Sequence, residues 1–283
     1  MIKGIIIDVD GVVIGEKKGF NFPDPHKDVI SRLRKIEGNG VPISLCTAKP
    51  HFSIRAIIQD ANLRSLHITD GGGVIIDPLD DVILKKHIID RAIAGKVVQA
   101  CLDRGTYVEF YTVNEYFAQA SQHSDITEIH ADILQAKPHV VESLLEQLEK
   151  EEITKIMPVV QNDEDMHELD KLLQPLTDRV TISWGTHPVA LPRRFGIVTA
   201  KGISKQQAAH EIAEHNNIVM DDLLGIGDST ADWQFIEQCG YAGAMGNASD
   251  ELKRLIATKG EKSFVGKAVD KNGIIDILDY FEL

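Results

Sequence analysis

The sequence predicts an α/β protein in which a parallel sheet covered by helices is interrupted by a smaller α+β insert. Three observations predict it. Short apolar runs alternate with amphipathic stretches through the first eighty or so residues, and the same alternation returns near the C-terminus. Between them, strands fall beside one another or flank single helices. The expected division is a first core segment over 1–81, an insert over 82–191 and a second core segment over 192–283.

Ile5 to Ile7 reads as a buried strand running straight into Asp8. Val29, Ile30, Leu33 and Ile36 recur near helical spacing, which predicts a helix over Asp28 to Glu37. Val41 to Cys46 is the second strand, Ser53 to Asp60 the second helix, and His67 to Thr69 a third strand before a glycine turn at 71–73 and the run VIID. In the insert the pattern predicts a helix over Ile88 to Asp103 and a strand over Thr106 to Tyr111. A helix over Val140 to Glu151, a strand over Ile153 to Val160, a helix over Met166 to Leu176 and a strand over Val180 to Trp184 follow. The second core segment reads as a helix (Ile203 to His215), a buried strand (Leu223 to Ile226), a helix (Ala231 to Gln238) and the strand YAGAM.

Composition excludes several functions. With 43% hydrophobic residues, 283 residues bury one large core or two moderate ones. No apolar run approaches the roughly 20 residues that span a bilayer, and the start lacks a signal-peptide layout. A net charge of −13 argues against a nucleic-acid binder. Cys46, Cys101 and Cys239 are widely spaced and odd in number, which suits a reducing cytoplasm.

Four stretches carry chemistry. DVDG places Asp8 and Asp10 one residue apart at a strand end, with Gly11 allowing a tight departure; alone, a solvated acidic turn fits as well. LCTAKP sets Thr47 and the amides around Ala48 at the end of the second strand, a hydroxyl-and-amide arrangement suited to an anionic oxygen. VTAKGIS offers Lys201 as a point charge for a phosphate, although most lysines lie on surfaces. LLGIGDSTADW adds Asp228 and Asp232 past a buried strand, so that with Asp8 the acids form an oxygen-rich set suited to Mg²⁺. Each is weak alone, but all four fall at strand ends or helix starts, where open α/β sheets bind ligands.

Three lures are set aside. HEIAEH puts its histidines five apart and off a common helix face, the glycine run lacks a phosphate-loop lysine, and NDEDMHELD reads as an acidic helix start.

Taken in order, DVDGVV, Thr47 of CTAK, AKGISK, GDSTAD and GAMGNA resemble the motifs of the haloacid dehalogenase-like phosphohydrolases along nearly the whole chain. The long insert after the second motif is similar to the Cof-type branch, which includes many sugar-phosphate phosphatases. The resemblance implies a Rossmann-like core with an α+β cap and a Mg²⁺-dependent phosphatase of small phosphate monoesters, cytoplasmic and acting as a monomer or homodimer. Asp8 would be the nucleophile, Asp10 the acid and base, and Thr47, Ala48 and Lys201 the phosphate-binding groups. Asp8, the Asp10 carbonyl, Asp228 and Asp232 would hold the metal. Val12, Ala48, Lys49 and Ala231 depart from the branch pattern, putting substrate contact at Lys49 in question. Specificity is expected from Lys49 and from Tyr107, Glu109, Trp184, His187 and Arg193, on or near the cap strands or the hinge, although for Tyr107 and Trp184 a place in the cap core is the favoured reading. A phosphosugar mutase and a non-catalytic phosphosugar-binding protein are the alternatives.

Overall fold

The structure, a computed structural model, describes residues 1–79 and 82–283. The last two residues of the expected first core segment therefore lie outside the described residues.

The first segment forms β1 (Gly4–Ile7), α1 (Lys27–Gly38), β2 (Ile43–Leu45), α2 (His51–Ala61), β3 (His67–Thr69), β4 (Val74–Asp77) and β5 (Val82–Lys86). The insert contributes α3 (Arg91–Arg104), β6 (Tyr107–Tyr111), β7 (Tyr116–Gln119), α4 (Asp125–Leu134), β8 (His139–Val141) and α5 (Leu144–Leu148). It continues with β9 (Lys155–Val160), α6 (Asp163–Leu173), β10 (Val180–Gly185) and β11 (Arg194–Ala200). The chain ends with α7 (Lys205–His215), β12 (Leu223–Gly227), α8 (Trp233–Ile236), β13 (Tyr241–Ala244), α9 (Asp250–Ala257), β14 (Ser263–Val265) and α10 (Gly273–Tyr280).

The core sheet is parallel throughout, in the order β14-β13-β12-β1-β2. All four residues of β1 are buried, as an interior strand covered on both faces requires. The sheet order brings the carboxyl ends of β12, β1 and β2 side by side, and these are the ends that carry Asp228, Asp8 and Thr47. A short antiparallel ribbon, β3-β4-β5, continues from β2 through a bridge between Cys46 and Ile68.

The insert folds on a six-stranded sheet, β10-β11-β9-β6-β7-β8, antiparallel except at β7–β8. Its sheet runs on to Ala200, because Arg194–Ala200 pairs with both β9 and β10. The boundary expected at 191/192 therefore falls ahead of a strand that belongs to the insert. Val82–Lys86 pairs with β4, so the opposite boundary also moves into the insert.

One helix expectation is corrected. Val140 to Glu151 divides into β8 and the short α5, because β-branched Val140 and Val141 follow Pro138 and Ser143 caps a new helix by accepting from the Glu146 amide. Among the described residues, no helix is long and apolar enough to cross a membrane.

Candidate active site

Asp8 follows the last residue of β1 and its amide still donates to the Ile226 carbonyl at 3.0 Å, which holds it level with the end of β12. The chain then turns sharply at Gly11, whose φ of +78° lies in the left-handed region. A Cβ there would meet Asp228 Oδ2 at 2.0 Å, so glycine is what lets the first acidic loop lie against the second. Asp8, Asp228 and Asp232 offer oxygens that all lie within 4.8 Å of one another.

Asp232 is fully buried and already occupied. Its Oδ2 accepts from the amides of Asp228 and Ser229 and from the Ser229 hydroxyl at 2.9–3.1 Å, while Oδ1 takes Lys205 Nζ at 2.8 Å. It shapes the turn that presents Asp228 and anchors the lysine. Lys205 Nζ also donates to Asp8 Oδ1 at 2.7 Å.

The lysine of the site is thus Lys205 and not Lys201. Lys201, in the turn that follows β11, donates from Nζ to the Thr177 carbonyl ahead of β10. Ser204 caps α7 by accepting from Gln207, so Lys205 is the first helical residue and stands at the sheet edge. The serine cap was the signal in the sequence that set the helix start one turn later than Lys201.

Burial, then repulsion from Asp232, pushes the Asp8 carboxyl up to about 7 despite Lys205 beside it. Asp228 is raised for the same two reasons in the same order, with Asp8 adding to them. Lys205 stays well above its usual value, because the pull of Asp232 and Asp8 outweighs the burial that opposes its charge. Three acids facing one lysine leave an excess of negative charge in a buried, all-oxygen donor set. A hard divalent cation fits such a set.

Asp10 has a different environment. Lys49 Nζ lies 2.9 Å and His187 Nε2 3.1 Å from the same Asp10 oxygen, Oδ1. The Val189 amide donates to His187 Nδ1, so Nε2 carries the proton that faces Asp10. Burial works to raise the Asp10 carboxyl, but Lys49 and His187 overrule it and hold the group below the usual carboxylate range. Two acids a residue apart are therefore shifted in opposite directions, Asp8 upward by burial and Asp232, and Asp10 downward by Lys49 and His187.

Thr47 and Ala48 line the same chamber as Asp8, Asp10, Lys205 and Asp228. Thr47 Oγ1 accepts from the Lys49 amide at 3.1 Å, which folds the loop tightly after β2. The Ala48 carbonyl accepts from Lys155 Nζ at 2.7 Å, and Lys155 lies fully buried beside Asp70 at 3.3 Å and 3.7 Å from the Tyr111 ring centroid. Lys155 sits on β9, so the insert grips the loop that carries Thr47. The glycine turn at 71–73 contributes here: Gly72, at φ +106°, passes so close to the Ser204 carbonyl that a Cβ would meet it at 2.5 Å.

The other expected specificity residues scatter. Lys49 pairs with Asp10 and lines a small cavity next to the chamber. Glu109 is wholly buried in the insert and accepts from Tyr107, Tyr111 and His130 at 2.6–2.7 Å, and Tyr107 is spent on that bond. Trp184 donates to Asp170 at 2.9 Å and lines a wide outer cleft, and Arg193 pairs with Asp125. His187, Lys155 and His130 are the site's additions from the insert; of these the sequence singled out only His187.

Comparison with known proteins agrees with this geometry. The family profile described as haloacid dehalogenase-like hydrolase matches residues 5–278. The chain belongs to that family and is a hydrolase of the phosphoryl-transfer kind. Over 98% of its length it is 24% identical to 97% of the 5-amino-6-(5-phospho-D-ribitylamino)uracil phosphatase YwtE of Bacillus subtilis. It is 21% identical to phosphatase YwpJ of the same organism, covering 90% of this chain and 93% of that one. Among solved structures it superposes on the subclass IIB sugar phosphatase BT4131 with a TM-score of 0.79, at 21% identity over 99% of both chains. A haloacid dehalogenase-like hydrolase from B. subtilis gives 0.80 at 20% identity, covering 98% of this chain and 99% of that one.

Proposed function

We propose that the chain is a Mg²⁺-dependent, cytoplasmic phosphatase of small phosphate monoesters, working through an aspartyl-phosphate on Asp8. The observation that carries this reading is the Asp8 carboxylate at the carboxyl end of β1, an interior strand, in contact with Lys205 and grouped with Asp228 and Asp232. The phosphatase names and titles borne by relatives and structural neighbours support it.

Asp8 attacks phosphorus as the ester P–O bond breaks, and the bonding pair leaves with the alcohol oxygen. Asp10 protonates that oxygen, then takes a proton from the water that attacks the aspartyl-phosphate, which releases phosphate and restores Asp8. As clamped by Lys49 and His187, Asp10 is in the base form that the second step uses. The first step needs it freed from at least one of them to carry a proton. Thr47, the Ala48 amide and Lys205 hold the phosphoryl oxygens. Asp8, Asp228 and the Asp10 carbonyl would hold Mg²⁺, with Asp232 acting from behind, and the ion would neutralise charge on the phosphoryl group.

The test is phosphate release from a panel of sugar phosphates, phosphoglycolate and nucleotides, with Mg²⁺ and with chelator. Metal-dependent release from monophosphates that is lost in Asp8→Asn is expected. Turnover that appears only with a bisphosphate activator would favour the mutase, and binding with no turnover would favour a phosphosugar-binding protein.

A further inference from the structure

Asp10 borders two chambers. One is the phosphate chamber, and the other is a small cavity walled on the core side by Asp10 and Lys49 and on the insert side by His130, Leu134, Met157 and Phe195. The wide cleft that contains Trp184 is not bordered by Asp10. The group that protonates the leaving oxygen must lie beside it, so the leaving group belongs in the cavity with His130.

The insert side of that cavity is apolar apart from Thr186, from His187, whose two ring nitrogens are engaged by Asp10 and the Val189 amide, and from the edge of His130. His130 is 3% exposed, with the Phe195 ring centroid 5.3 Å from its own and Tyr116 edge-on at 6.2 Å. Its Nδ1 lies 2.7 Å from Glu109 Oε2. Burial favours a neutral Glu109, but His130 and the two tyrosine hydroxyls hold it in the charged form. A carboxylate that already takes two O–H donors receives Nδ1–H, so in the neutral ring Nε2 is left as the acceptor. Among the described residues Nε2 makes no hydrogen bond, and it is absent from the fully buried unpaired atoms, so this edge meets the cavity. Apolar walls with a few oriented polar groups are the usual composition of a small-molecule site.

We infer that His130, oriented by Glu109, is the specificity-determining contact for the leaving group, and that its Nε2 accepts a hydrogen bond from a hydroxyl of a small phosphorylated polyol or sugar. This rests on the phosphatase reading and narrows its substrate class. Glu109 acts through His130 and is a positioning residue.

The experiment compares sn-glycerol 3-phosphate with n-propyl phosphate, and ribose 5-phosphate with phenyl phosphate, on the wild-type, His130→Ala, His130→Gln and Glu109→Gln proteins. The wild type should favour the hydroxylated esters. His130→Ala should lower kcat/KM on those by about tenfold or more relative to the others, since a site built for a hydroxyl discriminates by that bond. His130→Gln, whose amide can replace Nε2, should recover part of the preference, and Glu109→Gln should move in the same direction as His130→Ala. An equal loss on all four esters, or an unchanged preference, overturns the inference. Equilibrium binding of the same esters to Asp8→Asn, with and without His130→Ala, separates this inference from the phosphatase reading. If the wild type turns over none of the esters, that reading falls, and a hydroxyl preference in binding that disappears with His130 still upholds the inference. No such preference in binding overturns it.

Discussion

Lys201 and Lys205 stand one helical turn apart in the sequence, yet only one of them touches the acids. Lys205 joins Asp8 and Asp232, while Lys201 donates to a surface carbonyl. Steady-state kinetics should show Lys205→Ala losing about 10²-fold or more in kcat, as removal of a preorganised charge contact does. Lys201→Ala should stay within about twofold of wild type, and the reverse order would reinstate Lys201. The acids themselves were legible because Asp8 and Asp228 each follow an apolar run and Asp10 stands two residues past Asp8. The lysine was misplaced because a Lys-Gly pair looks like a helix start, whereas Ser204 is the residue that caps one. The partners of Asp10 were legible only in part, since nothing in a linear reading places His187 against a residue 177 positions earlier. Asp8 also sets a pH dependence. Its carboxyl is raised from 3.8 to about 7, so over that window the folded chain binds more protons than the unfolded one and loses stability as pH rises. Divalent cations compete with that proton, so Mg²⁺ should raise Tm more at about pH 8 than at about pH 5. Equal shifts at both pH values in thermal denaturation would contradict this.

At the scale of elements, β9 does more than its pattern shows. KIMPVV reads as a buried apolar strand, and all six residues are buried. Its first residue, however, puts a lysine between the Ala48 carbonyl and Asp70 with no exposed surface on either charged partner. Burial lowers the Lys155 ammonium and raises the Asp70 carboxyl, and each partner partly offsets the other's cost. Lys155→Met should therefore destabilise the fold by about 3–5 kcal/mol, because it leaves Asp70 buried without its cation. Adding Asp70→Asn should restore part of that loss in denaturant titration; strictly additive losses would show that the pair is not coupled. The core strands and α1 were readable from alternation and helical spacing. The insert was read less well: β7 and α4 went unassigned, although Ser124 and Thr127 form a capping box at the start of α4. Val140 to Glu151 shows the limit of periodicity, since two short elements joined by a cap can imitate one helix.

Across the whole molecule, core and insert are packed as neighbours rather than linked at a distance. One apolar cluster runs from Ile7 and Leu45 in the core to Tyr111, Met157 and Phe195 in the insert. The chamber lies along this seam, with Asp8, Asp10, Lys205 and Asp228 from the core and Ser183, Gly185, Thr186 and Ile197 from the insert. This division explains why the acids could be read from sequence and their neighbours from the insert only in part. The acids follow strand ends, while those neighbours depend on how two sheets face each other. The account stands on Asp8 becoming phosphorylated during turnover. Acid quenching of the enzyme with a substrate phosphate ester, followed by mass spectrometry of its peptides, tests this directly. A phosphoryl group on the peptide carrying Asp8, absent in Asp8→Asn, is the predicted result. Full turnover in Asp8→Asn, or a phosphoryl group confined to a different residue, would contradict it.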